Sequence, residues 1–389
     1  MGGVRGRRVA PLSERGRLRE VAALFLRLGF TAFGGPAAHI ALIEEECVRR
    51  RRWITREQFL DVLGVSNLIP GPTSTELAMH VGFHRAGWAG LIAAGICFIL
   101  PAALLVGVLA VVYVRAGELP ALEGVLRAVK PVALVVVLHA LVGLSRTAVR
   151  SIPLVLLAAI AALAALAGLA EIQVLLGAGI LHAAIGRRWT VAAVAVVLAA
   201  PFSPVAAQAA AATAATVGLP SLFGYFLKAG SLVFGSGYVL LAVLRGDLVQ
   251  RHGWLAEPQL LDAIAVGQVT PGPVFTTATF LGYLLNGTSG AIVATVAIFL
   301  PAFVFSALSI PVLQKLRRSP TAGGFLDGVN AAAVSLIAVV AFALARSAVV
   351  DLPTASIMLL SAILIGWFRV NSTWVIATAA AIGVLPLAR

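Results

Sequence analysis

Residues 67–82 read NLIPGPTSTELAMHVG. Pro70, Gly71 and Pro72 stand where an apolar helix ought to run, and Thr73, Ser74, Thr75 and the acid Glu76 follow at once. Proline lacks an N–H and its ring clashes with the preceding turn, so a helix must break there. The meaning of that break depends on the solvent around it, and composition fixes the solvent. Of 389 residues, 60% are hydrophobic and 12% charged, with mean hydropathy +1.00, whereas soluble domains have about 45–50% apolar and 25% charged residues. The chain reads as an all-α polytopic membrane protein. Apolar stretches near 20–44, 87–113, 131–149, 152–169, 172–186, 191–216, 221–244, 278–312, 330–350, 352–368 and 372–388, with the interrupted segments at the two proline triplets, predict roughly 10–12 membrane segments.

The triplet recurs as Pro271, Gly272 and Pro273, 201 positions on. At that spacing Phe25 meets Phe226, Arg27 meets Lys228, Gly34 meets Gly235, Trp53 meets Trp254 and Asp61 meets Asp262; after a one-residue deletion the register becomes 200, pairing Gly82 with Gly282, Gly90 with Gly290 and Pro101 with Pro301. The chain therefore divides into a basic tail (1–19), a first repeat (20–188), an Ala-rich connector (189–220) and a second repeat (221–389). Loop charge suggests inverted copies: four arginines, Arg49 to Arg52, follow the first segment of copy one, against Arg245, Arg251 and the opposing Asp247 in copy two. The Arg-rich tail conflicts with this if 20–44 crosses once, and a hairpin at Gly34–Pro36 would remove the conflict.

The net charge of +13 lies largely in Arg clusters beside apolar segments. It is read as positive-inside signals and contacts to anionic membrane lipids, not as a nucleic-acid surface. Two cysteines, Cys47 and Cys97, offer neither a disulfide framework nor a Cys-rich metal site. No Rossmann fingerprint, paired haem histidines or cysteine cluster is present, so no cofactor is expected and a membrane-bound oxyanion reductase is the distant alternative. A homodimer is left open.

In hydrocarbon a broken helix survives only when buried in protein or facing a wet cavity. Broken segments at matching places in two repeats are the pattern of a secondary transporter with its substrate where the breaks meet. Past each break a new helix start offers free N–H groups and a positive dipole end to an anion. Thr73, Ser74 and Thr75 in copy one, and Thr276 and Thr277 in copy two, add hydroxyls; the alternative is that they cap helices or bond back to the preceding turn. FGGP, Phe33 to Pro36, breaks the first segment similarly, making Gly34 and Gly35, with Gly235 in copy two, candidates for close approach. His39, one turn beyond, is either a packed residue or a ligand or proton carrier. Arg27 and Lys228 either snorkel to the interface, meet a counter-charge or bind the anion. Asn67 and Gln268, three residues before each triplet, are candidate amide donors. Glu76 has no acidic counterpart across the repeat; a carboxylate there suits proton exchange, or is a static partner of Arg85, His80 or His84.

FGGPAAHIALIEEECVRRRRWITREQFLD, NLIPGPTSTELAMHVGFHRAGWAGLIAAGICFILPA and the second-copy GQVTPGP together resemble the chromate ion transporter family in its long, two-domain form, across nearly the whole chain. The resemblance implies a multi-pass carrier of a bacterial-type inner membrane that moves chromate outward, driven by the proton-motive force, and so confers chromate resistance, with sulfate or another oxyanion as the alternative cargo. Copy two departs from copy one, with FGSG for FGGP, Val274 where Thr73 stands and no match for Glu76. This implies that the halves contribute unequally.

Overall fold

A computed structural model describes residues 13–116, 120–185, 217–233, 237–312 and 320–384. The apolar stretch 191–216, most of the connector and the first twelve residues of the tail lie outside the described residues. In the first repeat the helices are α1 (Glu14–Thr31), α2 (Gly35–Glu44, continued by a π-helical segment, Glu45–Arg50), α3 (Arg56–Ser66), α4 (Thr73–Ala116), α5 (Pro120–Ala148), α6 (Ile152–Leu166) and α7 (Glu171–Ile185). The second repeat follows with α8 (Leu219–Leu232), α9 (Val239–Leu244, continued by a π-helical segment, Arg245–Arg251), α10 (Glu257–Val269), α11 (Thr277–Ser309, preceded by a 3-10 turn, Val274–Thr276), α12 (Pro320–Ala348), α13 (Leu352–Gly366) and α14 (Ser372–Val384).

The stretch 20–44 does not cross as one segment. In a continuous helix Arg27 and Glu46 would stand about 28 Å apart, yet Arg27 Nη2 lies 2.8 Å from Glu46 Oε2. The chain therefore reverses between them, at Gly34 (φ 98°) and Gly35 (φ 76°), in a backbone region that L side chains rarely adopt. Lys228 and Asp247 meet in the same way, 3.8 Å apart, so 221–244 is likewise a hairpin. The arginines at the start of α1 and those after α2 thus emerge on one face, which removes the topology conflict and marks that face as cytoplasmic.

The helix after each break is also a hairpin. A methyl group on Gly82 would lie 2.3 Å from the carbonyl oxygen of Gly90, although eight residues of straight helix span about 12 Å. The reversal is at Ala86 (φ −140°, ψ 23°) and Gly87 (φ 62°). It leaves a short arm, 73–85, running from the break to the cytoplasmic face and a long arm, 88–116, running back across. Asn286 and Gly287 make the same turn in α11, with Gly282 against Gly290 and a Thr279–Thr295 hydroxyl bond of 2.7 Å across the two arms. The stretch 278–312 is therefore two antiparallel pieces rather than one span. Among the described residues, four helices are long and apolar enough to cross a membrane, within α4, α5, α11 and α12. On the long arm of α4, Ile92, Ile96, Leu100, Leu104 and Val108 form an exposed apolar stripe at four-residue spacing, which suits lipid tails rather than water.

Side-chain pairs fix the relative direction of the repeats. Arg150, just past the end of α5, binds Asp327 near the start of α12 at 3.0 Å, and Arg127 near the start of α5 binds Asp351 just past the end of α12. The two equivalent helices therefore run antiparallel, so the copies are inverted. They also interlock: α12 packs on α6 and α7, and α5 on α13 and α14. Gly124 sits against Gly383 and Gly328 against the Ala178 carbonyl, at separations only glycine permits.

Candidate functional site

Inversion brings the two breaks together from opposite faces. Gly71 N–H donates to the Val233 carbonyl (2.7 Å) at the tip of the second repeat's hairpin, and Gly272 N–H donates to the Ala32 carbonyl (2.9 Å) at the tip of the first. These reciprocal bonds satisfy backbone that proline leaves open. Glycine is required at both places. Gly71 has φ 139° and a methyl group there would stand 2.3 Å from Glu76 Oε1; Gly272 has φ 90° and its methyl would stand 2.6 Å from Ala102 Cβ. Pro72, Pro271 and Pro273 are buried beside them and Pro70 half-buried.

Around this junction copy one is the richer half. Thr73, Ser74, Thr75 and Glu76, the first turn of α4, are all buried. Ser74 Oγ lies 3.3 Å from His39 Nδ1, while His39 Nε2 donates to the Ala32 carbonyl at 3.0 Å. The ring of buried His39 thus joins the hairpin tip to the start of the helix. Thr75 Oγ1 and both carboxylate oxygens of Glu76 are buried without a hydrogen-bond partner. The Glu76 carboxylate turns back over Gly71, at the positive end of its own helix, which is the place an oxyanion would take. In copy two the hydroxyls are spent locally: Thr276 donates to the Pro273 carbonyl and Thr277 to the Val274 carbonyl, each at 2.8 Å. Gln268 Nε2 is buried and unpartnered. Asn67, at the C-terminal end of α3, is exposed.

Other expected positions fall elsewhere. Arg27 and Lys228 sit with half-exposed side chains on the carboxylates of Glu46 and Asp247, which favours the counter-charge alternative over direct anion binding. Burial works against charge on Glu46, but hydrogen bonds and charge from Arg27, together with Arg51 and Arg50, outweigh it and hold the carboxyl below its ordinary range. Gly34 and Gly35 form the hairpin tip, where a methyl on Gly35 would meet the Tyr238 hydroxyl at 2.7 Å. Gly235 lies outside the described residues. Glu76 is not the partner of Arg85, which binds Glu20 at 2.6 Å. His80 donates from Nδ1 to the backbone carbonyl of Glu76 (2.8 Å), not to its carboxylate, and its Nε2 meets Ser309 Oγ at 2.9 Å.

Three groups emerge only from the fold. Lys130 lies 2.8 Å from Asp262, which also accepts from the Tyr113 hydroxyl (3.0 Å). Glu171 binds Arg251 at 2.7 Å, tying α7 to the second repeat. The third is the His80–Ser309 bond. All cross between repeats, where sequence spacing carries no signal.

A family model described as chromate transporter matches residues 19–184 and again 220–384. The chain is 33% identical over 378 residues to the chromate transport protein of Cupriavidus metallidurans, covering 95% of this chain and 93% of that one. It is 30% identical to the probable chromate transport protein of Synechococcus elongatus (92% and 90% covered) and 26% identical to an uncharacterized transporter of Methanocaldococcus jannaschii (81% of each). No solved structure matches.

Proposed function

This chain belongs to the chromate transporter family, and we propose that it exports chromate across the bacterial inner membrane by alternating access at the junction of its two broken helices. The observation that carries the reading is the reciprocal pair of bonds, Gly71 to Val233 and Gly272 to Ala32. Two helix starts held face to face by the opposite repeat's hairpin form a midplane site of the kind inverted-repeat carriers use. Gly71, Pro72, Thr73, Ser74 and Thr75, with His39 behind them and Gly272 and Gln268 opposite, line the oxyanion site. With its first turn buried, the site is read as occluded; in this scheme opening to either face requires the hairpins to rock against the interlocked helices.

The proton-motive force drives export mainly through its electrical part. One elementary charge is worth about 2.3 kcal/mol per 100 mV, so a dianion leaving a negative interior gains about twice that. Glu76 is the gatekeeping acid. As a carboxylate it occupies the positive helix end and repels the dianion; as a neutral acid it vacates that role and admits the substrate. The deciding experiment is chromate uptake into everted vesicles with an imposed potential, comparing Glu76→Gln with the parent. Equal, pH-insensitive transport by both would remove Glu76 from the mechanism, and uptake no greater than that of empty vesicles would remove the substrate assignment. Sulfate is the second cargo to test, since hydroxyl and dipole contacts do not separate tetrahedral dianions of similar size.

A further inference from the structure

Resting on the reading of Glu76 as the gatekeeping acid, we infer that Glu76 exchanges its proton with the cytoplasmic face alone, through His80, Ser309 and His84. Glu76, His80 and His84 are spaced by four along the short arm of α4, which places them one above another on a helix face. That arm runs from the junction to the cytoplasmic face. Its outer end opens on a cavity of about 530 Å³ lined by Glu14, Arg15, Arg17, His84 and Arg85 among others. Glu76 and His80 are fully buried, whereas His84 is exposed at the cavity. The column thus leads from a partnerless carboxylate to a wet opening.

The second repeat supplies the contrast. At the 200-residue register, Glu76, His80 and His84 correspond to Thr276, Phe280 and Leu284. The arm that leads from the same junction to the opposite face therefore has neither a carboxylate nor an imidazole; its titratable side chain is Tyr283, at a position out of this register.

The hydrogen bonds at His80 accommodate both protonation states. Its Nδ1 faces the Glu76 carbonyl, an acceptor only, so Nδ1 carries a hydrogen in either state. Nε2 faces Ser309 Oγ, and the Ser309 hydroxyl can also donate to the Ser306 carbonyl at 2.8 Å. In neutral His80 the serine hydroxyl donates to Nε2. The Glu76 carboxyl lies over Gly71 and must swing along the arm to deliver its proton; once a proton reaches Nε2, the imidazolium donates to Ser309 Oγ and the serine hydroxyl turns to Ser306. No buried donor or acceptor is stranded in either arrangement. The proton then passes to His84 and the cavity, and the carboxylate left behind closes the helix end; the reverse sequence recharges it. The charged groups facing this route are His39 behind Ser74 at the inner end, and at the outer end Glu14, Arg15, Arg17, Arg85, its partner Glu20 and Arg51, which shares the Trp53 ring with Arg85; among the described residues α11 contributes the hydroxyls of Ser306 and Ser309.

The test is initial chromate exchange at zero potential, with the bath pH stepped on one face while the lumen is held fixed. Everted vesicles present the cytoplasmic face to the bath and right-side-out vesicles the other. The expected result is a rate that follows bath pH in everted vesicles and ignores it in right-side-out ones. His80→Phe and His84→Leu copy the residues of the second repeat; both are expected to slow the response to a cytoplasmic pH step by about a hundredfold or more, the lower end of what a lost proton-transfer group costs, while leaving chromate binding within about twofold. Ser309→Ala, which removes no titratable group, is expected to slow it less and guards against misfolding of the histidine variants. A parent that answers pH on the opposite face, or histidine variants with the parent's response, overturns the inference. If the histidine variants are unaffected while Glu76→Gln loses all pH response, the route is wrong and the role of Glu76 stands; if Glu76→Gln keeps the response, the role of Glu76 is what fails.

Discussion

Replacing Gly71 by alanine separates two costs that coincide at the break. The residue has φ 139°, and holding an L-residue there costs about 1–3 kcal/mol. The new methyl would also stand 2.3 Å from Glu76 Oε1 and 3.4 Å from Ala302 Cβ. Ala302 is at ordinary contact distance, so the carboxylate alone must yield. Driving it from the helix end forfeits up to about 2 kcal/mol of dipole interaction. Gly71→Ala is therefore expected to lower stability by about 1–5 kcal/mol, and the same change in a Glu76→Ala background by the strain alone. Reversible unfolding of purified protein in mixed micelles, run as a double-mutant cycle, measures the difference. Gly272→Ala is the control: its methyl meets Ala102 Cβ at 2.6 Å, with no flexible side-chain end to move, so its cost is expected to persist whatever stands at position 76. Additivity of Gly71→Ala and Glu76→Ala within about 0.5 kcal/mol would refute the placement of the carboxylate over the break.

Cysteines at positions 150 and 327, in a protein whose Cys47 and Cys97 are replaced, are expected to be joined by a short bifunctional thiol reagent that makes up the lost reach of the arginine, whereas 127 with 327 are not; mass spectrometry of the treated protein checks the antiparallel repeats. Gly82→Leu and Gly282→Leu are each expected to prevent the short arm from folding against its partner and to cut the yield of monodisperse protein sharply, since backbone rather than a side-chain tip blocks the new atoms; normal yield and transport would contradict the hairpin. Lys130→Met strands the Asp262 carboxylate and is expected to cost about 3–5 kcal/mol, much of it recovered by adding Asp262→Asn, as read by the same unfolding assay.

The repeat and its breaks were legible because proline and glycine leave marks that hydrophobicity does not, and the 201 and 200 registers made the marks coincide. The direction of the chain at those marks was legible only indirectly, through the conflict between the Arg-rich tail and Arg49 to Arg52 that a hairpin at Gly34–Pro36 would remove. An apolar run containing FGGP reads the same whether it crosses or returns, and the reversal is decided by Glu46 reaching Arg27 from nineteen positions away. A cation inside an apolar run therefore looked like a ligand as much as half of an ion pair. The same limit applies to the hydroxyls. Thr276 and Ser74 occupy comparable places in sequence, yet one bonds back to its own turn and the other faces a histidine of a different helix. Interlocking of the repeats, and with it Lys130–Asp262 and His80–Ser309, depends on packing between distant segments that no local pattern encodes.

The most direct test of the account is chromate flux into proteoliposomes of purified protein, with potential imposed by a potassium gradient and Gly71→Leu reconstituted in parallel. A midplane oxyanion site at the junction requires saturable, voltage-driven chromate flux in the parent and background flux in a well-folded Gly71→Leu variant; parent flux indistinguishable from protein-free liposomes, or undiminished flux in the variant, would contradict it.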